Sequence, residues 1–152
     1  MLPATSHIES VTVFNLYGND RLIEWKRIRN QLEDCDDPYF VVADLWSRAP
    51  FVNPYLDPKN SANWPDPWHL ILDDKYDELA IALGMLYTIK LTDRFMDTVC
   101  EIHMSMSPTE TVPRFFLVVD NKQVLNFEPR TVLEVGSLPA HTNIIWSVKK
   151  FQ

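Results

Sequence analysis

One strongly apolar helical segment constrains the fold of this chain more than any other part of the sequence. Residues 75–90 read KYDELAIALGMLYTIK, and apolar side chains recur every three or four positions and widen into a broad band. A helix that is apolar around most of its circumference has to be covered on more than one side. Gly84 lowers helix propensity at the centre of the segment, which indicates that another side chain packs closely there. We therefore expect a buried central helix surrounded by other elements.

The residues before this segment carry helix-start signals. The stretch WPDPW at 64–68 favours a short helix of its own, because proline fits the first helical turn. Asp73 and Asp74 are predicted to cap the long helix, since acidic side chains suit the positive end of a helix dipole. Such paired carboxylates could also act as general acid and base. Their position in front of a helix favours capping.

The N-terminal third is predicted to hold a short strand and two helices. Residues 10–17, SVTVFNLY, are β-branched and aromatic and favour a strand. Residues 20–34 have the period of an amphipathic helix. Its buried stripe is predicted to contain Leu22, Trp25, Ile28 and Leu32, and its other side Arg21, Lys26, Arg27 and Arg29. That basic side could bind an anion, although a solvated face is the simpler interpretation.

A second helix is predicted to begin at residues 36–38 and to stop before Pro50. Residues 49–67 then contain five prolines together with three large aromatic side chains, which is unlike a flexible linker. We expect an ordered Pro-rich loop, 49–67, that lies on the domain and buries its rings.

The chain becomes β-rich after residue 93. Strands are predicted near 95–104, 114–120, 123–128 and 143–149, with a hairpin turn at 120–122 and a mobile loop at 105–113. Helices followed by antiparallel strands indicate the α+β class. The expectation is a single domain over 1–152, with a helical part at 19–91 and a β-rich part at 94–150. In it, N-terminal helices and one buried central helix pack on an antiparallel sheet of about four strands.

The charge distribution favours some partners over others. The net charge is −7, and residues 33–78 contain eleven acidic and three basic residues. An acidic surface repels phosphate backbones, so we expect no nucleic-acid partner. A protein with a basic surface would suit this segment, although the acids could serve solubility alone. The sequence has no stretch of about 20 apolar residues, so we expect no membrane partner.

Few residues have the spacing that metal or cofactor sites require. The four histidines are scattered, and Cys35 and Cys100 match neither a zinc nor a disulfide pattern. With three glycines the chain has no phosphate-binding loop or dinucleotide fingerprint. We therefore expect no metal and no cofactor, and we expect both cysteines to be reduced structural thiols. The N-terminus lacks a basic segment followed by an apolar run, so we expect no secretory signal.

The order of elements over residues 64–128 resembles transglutaminase-like and papain-like proteins. In that arrangement a nucleophilic Cys opens a core helix, and His and Asp follow on consecutive strands. The matching positions here hold Asp77, Arg114 and Asn126. These residues cannot perform acyl transfer, because Arg114 does not accept a proton at neutral pH. The resemblance implies a degenerate site in which Asp77 and Arg114 form an ion pair.

A second resemblance covers the whole chain. Segments such as LWSRAPFVNPYLDP, NWPDPWHLI and FFLVVDNKQVLNFEP are similar to a family of small proteins of marine tailed cyanophages. Membership implies expression in the cytoplasm of a bacterial host and a role in the virion or its assembly. It supplies no catalytic residues.

We therefore expect a non-enzymatic tailed-phage protein that acts through protein–protein contacts, as a minor virion component or an assembly factor. The alternatives are a host-directed binding or inhibitor protein and a divergent papain-like or transglutaminase-like amidase with an altered site. Exposed aromatic residues on a rigid loop make good interface anchors. The interface candidates are Trp46, Phe51, Tyr55, Trp64, Trp68, Asp36 and Asp37.

Overall fold

The computed structural model describes residues 10–106, 112–138 and 142–149. Within these ranges the chain has four α-helices and a five-stranded antiparallel sheet, so the α+β prediction is confirmed. No helix of the described residues is long and apolar enough to cross a membrane. Residues 107–111 of the loop predicted to be mobile lie outside the described ranges.

The predicted strand at 10–17 is wrong, because Ser10–Asn15 forms a 3-10 helix. Val13 and Phe14 are consecutive and both buried, whereas a strand would point them to opposite faces. The Phe14 ring packs edge-on against Trp46, at 5.2 Å between centroids, and against Tyr76, at 5.6 Å. The aromatic and β-branched composition thus reflects burial against the helices rather than sheet pairing.

Helix α1, Gly18–Leu32, follows as predicted and buries Trp25, Ile28 and Leu32. Arg21 was expected on the solvent side, but it is 3% exposed. Its guanidinium donates hydrogen bonds to the carbonyl oxygens of Leu16 at 2.8 Å, Ile71 at 2.9 Å and Asp73 at 2.6 Å. Arg21 therefore ties the beginning of α1 to the segment that precedes the central helix.

Helix α2, Pro38–Trp46, begins at its proline as the sequence predicts. The loop after it is only partly as expected, because the rings of Phe51 and Tyr55 remain 66% and 48% exposed. Its backbone is anchored next to α2: Val52 N–H donates to Tyr76 O at 3.0 Å, and Tyr76 N–H donates to Pro50 O at 2.8 Å. The short helix α3, Pro67–Ile71, closes the loop with Asp66 as its N-cap.

The central helix α4, Glu78–Lys90, is buried at every position from Leu79 to Lys90, which confirms that it is covered on more than one side. It starts later than predicted, and its N-cap is Asp77 rather than Asp73 or Asp74. The helix cannot begin earlier because the backbone of Tyr76 is extended and paired with the Pro-rich loop.

The sheet has the strand order β4-β3-β2-β1-β5 and is antiparallel throughout. Its strands are β1 Cys100–Ser105, β2 Arg114–Val119, β3 Gln123–Leu125, β4 Val132–Glu134 and β5 Asn143–Val148. Strand β4 was not predicted. β1 begins later than predicted because Asp93–Phe95 forms a 3-10 turn, and β3 ends early because Asn126 has a positive φ of 72°.

The hairpin between β2 and β3 turns at residues 120–122, as predicted. Asp120 and Asn121 both have positive φ, and Lys122 N–H donates to Val119 O at 3.0 Å. This combination defines a type I′ turn.

Both faces of the sheet are covered. Phe115, Leu117 and Val119 of β2 belong to the main core with α4, whereas Phe116 and Val118 pack in a second cluster on the outer face. Helix α4 thus lies between the sheet on one side and helices α2 and α3 on the other. This layering places the start of α4 beside the start of β2 and the end of β3.

Candidate functional site

Asp77 caps the central helix and also holds the Pro-rich loop. One carboxylate oxygen accepts the Ala80 N–H at 2.7 Å, which is the N-cap interaction of α4. The other oxygen accepts the N–H groups of Tyr55 at 2.7 Å and Leu56 at 2.8 Å. Asp77 is 2% exposed, so its carboxylate is committed to three backbone donors. It is a structural anchor and not a nucleophile.

The acidic partner of Arg114 is Glu78, one residue further along the chain than expected. Arg114 Nε lies 3.0 Å from Glu78 Oε2, and the other oxygen of Glu78 accepts the Phe115 N–H at 3.0 Å. Arg114 Nη2 also donates to the carbonyl oxygen of Phe127. The predicted Asp77–Arg114 ion pair is therefore replaced by a Glu78–Arg114 pair. The reason is that Asp77, as the N-cap, points its carboxylate at backbone amides.

Asn126 completes this cluster. Its Nδ2 donates to Glu78 O at 3.2 Å and to Phe115 O at 3.1 Å. The positive φ of Asn126 turns the chain out of β3, a conformation that asparagine tolerates better than most residues. The fold thus brings together the regions of all three predicted triad positions, Asp77, Arg114 and Asn126. Their donors and acceptors serve to join α4, β2 and β3.

Two clefts open on either side of the Glu78–Arg114 pair. One has a volume of about 310 Å³ and lies between α2, α4 and the segment after β3, with Trp46 and Arg130 in its lining. The other, which we call the apolar cleft, has a volume of about 350 Å³. Its apolar lining comes from the Pro-rich loop, α4 and the start of β2: Phe51, Pro54, Leu56, Pro58, Leu79, Val112, Pro113 and Phe115. Phe51 lines both clefts and is 66% exposed.

The aromatic interface candidates differ in exposure. Trp46 is fully buried and its indole N–H donates to Thr88 Oγ1 at 2.9 Å, so its selection as a surface anchor is corrected. Trp64 is half-buried and packs edge-on against Trp146, with centroids 5.6 Å apart. Phe51, Tyr55 and Trp68 present their rings to solvent, at 66%, 48% and 47% exposure.

The acidic segment does not form one continuous surface. Asp73 lies beside the first turn of α1, because its carbonyl oxygen accepts a hydrogen bond from Arg21 of that helix. Glu33, at the other end of α1, accepts the backbone N–H groups of Asp93 and Arg94, both at 2.9 Å. A helix of this length spans about 22 Å. Exposed Asp36 and Asp37 therefore lie at the opposite end of α1 from Asp73.

The histidines that the structure describes lie outside both clefts. His69 is exposed and pairs with Asp66 in α3. His103 lies between Thr142 Oγ1 and Glu101 Oε1, both at 3.0 Å, and its ring contacts Phe116 on the outer face of the sheet. This carboxylate–imidazole–hydroxyl arrangement places a base next to a hydroxyl, yet away from the clefts that an amidase substrate would enter. The described residues contain no group of three or more potential metal ligands.

The two cysteines are free thiols. Cys100 belongs to the main core, whereas His103, three residues later, faces the outer side of the sheet, as strand alternation predicts. Burial raises the pKa of the Cys100 thiol to about 12, so it stays protonated and unreactive at neutral pH.

Comparison with protein-family models, curated proteins and solved structures found no match.

The sequence did not single out Glu78 as the partner of Arg114. The two residues are 36 positions apart, and nothing local in the sequence links them. A weak signal is the Asp77-Glu78 pair itself. When two acids open a helix and the first is the cap, the second is free to reach another element.

Proposed function

We propose that this chain is a non-enzymatic protein that works by binding another protein at the apolar cleft. The observation that carries the proposal is Phe51. A phenylalanine ring that is two-thirds exposed lies on a backbone fixed by hydrogen bonds to Tyr76, beside a cleft of about 350 Å³. Exposed apolar surface on a rigid support is typical of an interaction site.

The geometry of the loop supports this use. Asp77 fixes the backbone of Tyr55 and Leu56, so the cleft wall is already ordered before a partner arrives. Preorganisation lowers the entropy that binding would otherwise cost. The Glu78–Arg114 pair is part of the same wall and is about 30% exposed on each side chain, 28% and 31%. A partner would thus place an apolar side chain in the cleft and a polar group over the pair.

The resemblance to small cyanophage proteins supports placing this binding in a tailed phage. On that basis the chain is made in the host cytoplasm and is either a minor virion component, carried into the virion, or an assembly factor. Its partner is then another phage protein rather than a nucleic acid or a membrane, in keeping with the net charge of −7.

A second candidate is a host-directed binding protein. The observation in its favour is the exposed pair Asp36 and Asp37 at the turn before α2, which would complement a basic host surface. This pair lines neither cleft, so it would act independently of the apolar cleft.

The test compares two substitutions at equally exposed apolar residues. Phe51→Glu places a charge at the apolar cleft, whereas Ile23→Glu places one on the solvent face of α1, where Ile23 is 67% exposed. Tagged chain is cross-linked in infected cells and in purified virions, and its partners are identified by mass spectrometry. We expect a phage structural or assembly protein whose recovery falls about tenfold or more with Phe51→Glu and not with Ile23→Glu.

Equal recovery with both variants would remove the cleft as the binding site. Cross-linking to a host protein alone, lost on reversal of Asp36 and Asp37 to lysine but retained with Phe51→Glu, would instead support the host-directed candidate.

A further inference from the structure

A second surface, separate from the apolar cleft, combines a cation with two tryptophans. Arg29 of α1 lies 4.5 Å from the ring centroid of Trp25 and 5.6 Å from that of Trp68 in α3, measured from its guanidinium carbon. The two indoles meet edge to face, with centroids 5.8 Å apart and planes at 73°. Arg29 therefore lies in an aromatic corner built by two helices.

The corner is rigid on one side and open on the other. Trp25 is 1% exposed, and its indole N–H donates to Thr88 Oγ1 of the central helix at 3.1 Å. Trp68 is 47% exposed and presents part of its ring to solvent. Tryptophan and arginine in such a setting are the residue types most enriched at binding hot spots.

Arg29 makes no hydrogen bond or ion pair with any residue that the structure describes. Its Nε is shielded from solvent and has no acceptor. Its two terminal nitrogens are not shielded in this way, so they are the donors that a carboxylate from outside can reach. Burial also lowers the pKa of Arg29 from its usual value, although the guanidinium stays charged at neutral pH.

The other arginines of α1 and its neighbours have acceptors, which sets Arg29 apart. Arg21 donates to four carbonyl oxygens, and Arg27 pairs with Glu24. Arg94 donates to the carbonyl oxygens of Leu32 and Cys35. Exposed Lys26 lies one turn before Arg29 on the same flank of α1, and it too lacks an ion pair among the described residues.

We propose that Arg29, Trp68 and Lys26 form a binding site for the carboxylate side chain of an acidic protein segment. A carboxylate is planar and pairs with the fork of a guanidinium through two hydrogen bonds. The indoles hold that fork in one orientation, and Trp68 offers an apolar surface for the stem of a glutamate. Lys26 adds a second positive charge for a neighbouring acid. The charge of this patch is opposite to that of the chain as a whole, so it selects an acidic partner where the rest of the surface would repel one.

The test uses short peptides and amide-resolved NMR on the whole chain. The probes are Ac-Ala-Glu-Ala-Glu-Ala-NH₂, its glutamine counterpart, and butyrate as a free monocarboxylate. We expect the glutamate peptide to give saturable shifts of the Arg29 Nε–H and Trp68 indole N–H signals. The glutamine peptide should give none, and butyrate should bind at least about tenfold more weakly, since it has one carboxylate and so lacks the second contact with Lys26.

Matched variants separate this site from general electrostatics. Arg29→Gln and Arg27→Gln remove the same charge from the same helix, but only Arg29 lies in the corner. Arg29→Gln should weaken peptide binding about tenfold or more, and Arg27→Gln should leave it nearly unchanged. Arg29→Lys keeps the charge without the planar fork and should also weaken binding. Lys26→Gln should weaken peptide binding less than Arg29→Gln. Because Lys26 is exposed, misfolding would not explain that loss of binding.

Several results would overturn the proposal. Equal losses with Arg29→Gln and Arg27→Gln, or full binding by Arg29→Lys, would mean that net charge alone attracts the peptide. Equal affinity for butyrate and the peptide would assign the corner to a free small carboxylate rather than a protein segment. Shifts that map away from Arg29 and Trp68 would place the binding elsewhere.

Discussion

Asp77 shows how one side chain can decide where a helix begins and where a loop lies. Its three backbone partners come from two segments, the first turn of α4 and residues Tyr55 and Leu56 of the loop. Without the carboxylate, all three N–H groups would lose their acceptor. At this scale the acidic residue in front of α4 performs a structural function.

We predict that Asp77→Ala lowers the free energy of unfolding by about 2–4 kcal/mol, since it removes an N-cap and leaves two loop amides without an acceptor. Urea denaturation followed by circular dichroism measures this. Asp74→Ala is the control, because Asp74 is exposed and three residues away. A loss no larger than that of the control would show that water replaces the carboxylate.

At the scale of elements, the contact between α2 and α4 depends on Gly84. A Cβ built on Gly84 would lie 2.3 Å from the ring of Trp46. The ring cannot easily retreat, because its indole N–H and that of Trp25 both donate to Thr88 Oγ1, which itself donates to Gly84 O at 2.7 Å. The close packing inferred from the glycine is confirmed, and its partner is the tryptophan that we expected at the surface.

Gly84→Ala is predicted to destabilise the protein by about 1–3 kcal/mol, even though alanine favours a helix, because overpacking against a fixed ring outweighs propensity. Gly136→Ala has nothing within 4 Å of the new Cβ and should change stability by less than about 0.5 kcal/mol. Thermal unfolding of both variants measures the difference. If the Gly84→Ala protein were as stable as the Gly136→Ala protein, α2 would have to move away from α4 at little cost in stability.

At the scale of the whole molecule, buried phenols couple stability to pH. Burial, reinforced by the Asp66 carboxylate, raises the pKa of Tyr87 to about 12. Burial is also the main reason why the pKa of Tyr39 rises to about 12. An unfolded tyrosine ionises near pH 10. Between about pH 10 and 12 the unfolded chain therefore loses protons that the folded chain keeps, and stability falls as pH rises.

We predict that the contribution of the buried tyrosines to stability is constant below about pH 9.5 and declines between pH 10 and 12. The measurement is the urea concentration at half-unfolding as a function of pH. Lysines also titrate there, so Tyr87→Phe is the comparison. That variant loses the hydrogen bond to Pro65 O and is less stable at pH 8, but its decline with pH should be shallower. Parallel declines of the two proteins would show that Tyr87 ionises normally in the folded state.

The helices were readable from the sequence because their signals are local. Apolar spacing, Pro38 and the acids around α4 act within a few residues, which is the range over which helix geometry is set. The strand predicted at 10–17 was wrong because β-branched and aromatic residues indicate that a segment is buried. They do not indicate whether it packs against helices or pairs with a strand. Helix α4 was placed too early because the extended backbone at Tyr76 depends on a loop 25 residues away.

The sequence by itself determined the fold class, the buried central helix and the tight turn after β2, since each follows from periodicity or backbone preference within one segment. Only the tertiary structure decided which acid meets Arg114, which arginine of α1 is buried, and which tryptophan reaches the surface. Those outcomes depend on distances between segments far apart in the chain. A side chain at a helix start or on a helix flank has several chemically reasonable partners, and only packing selects among them.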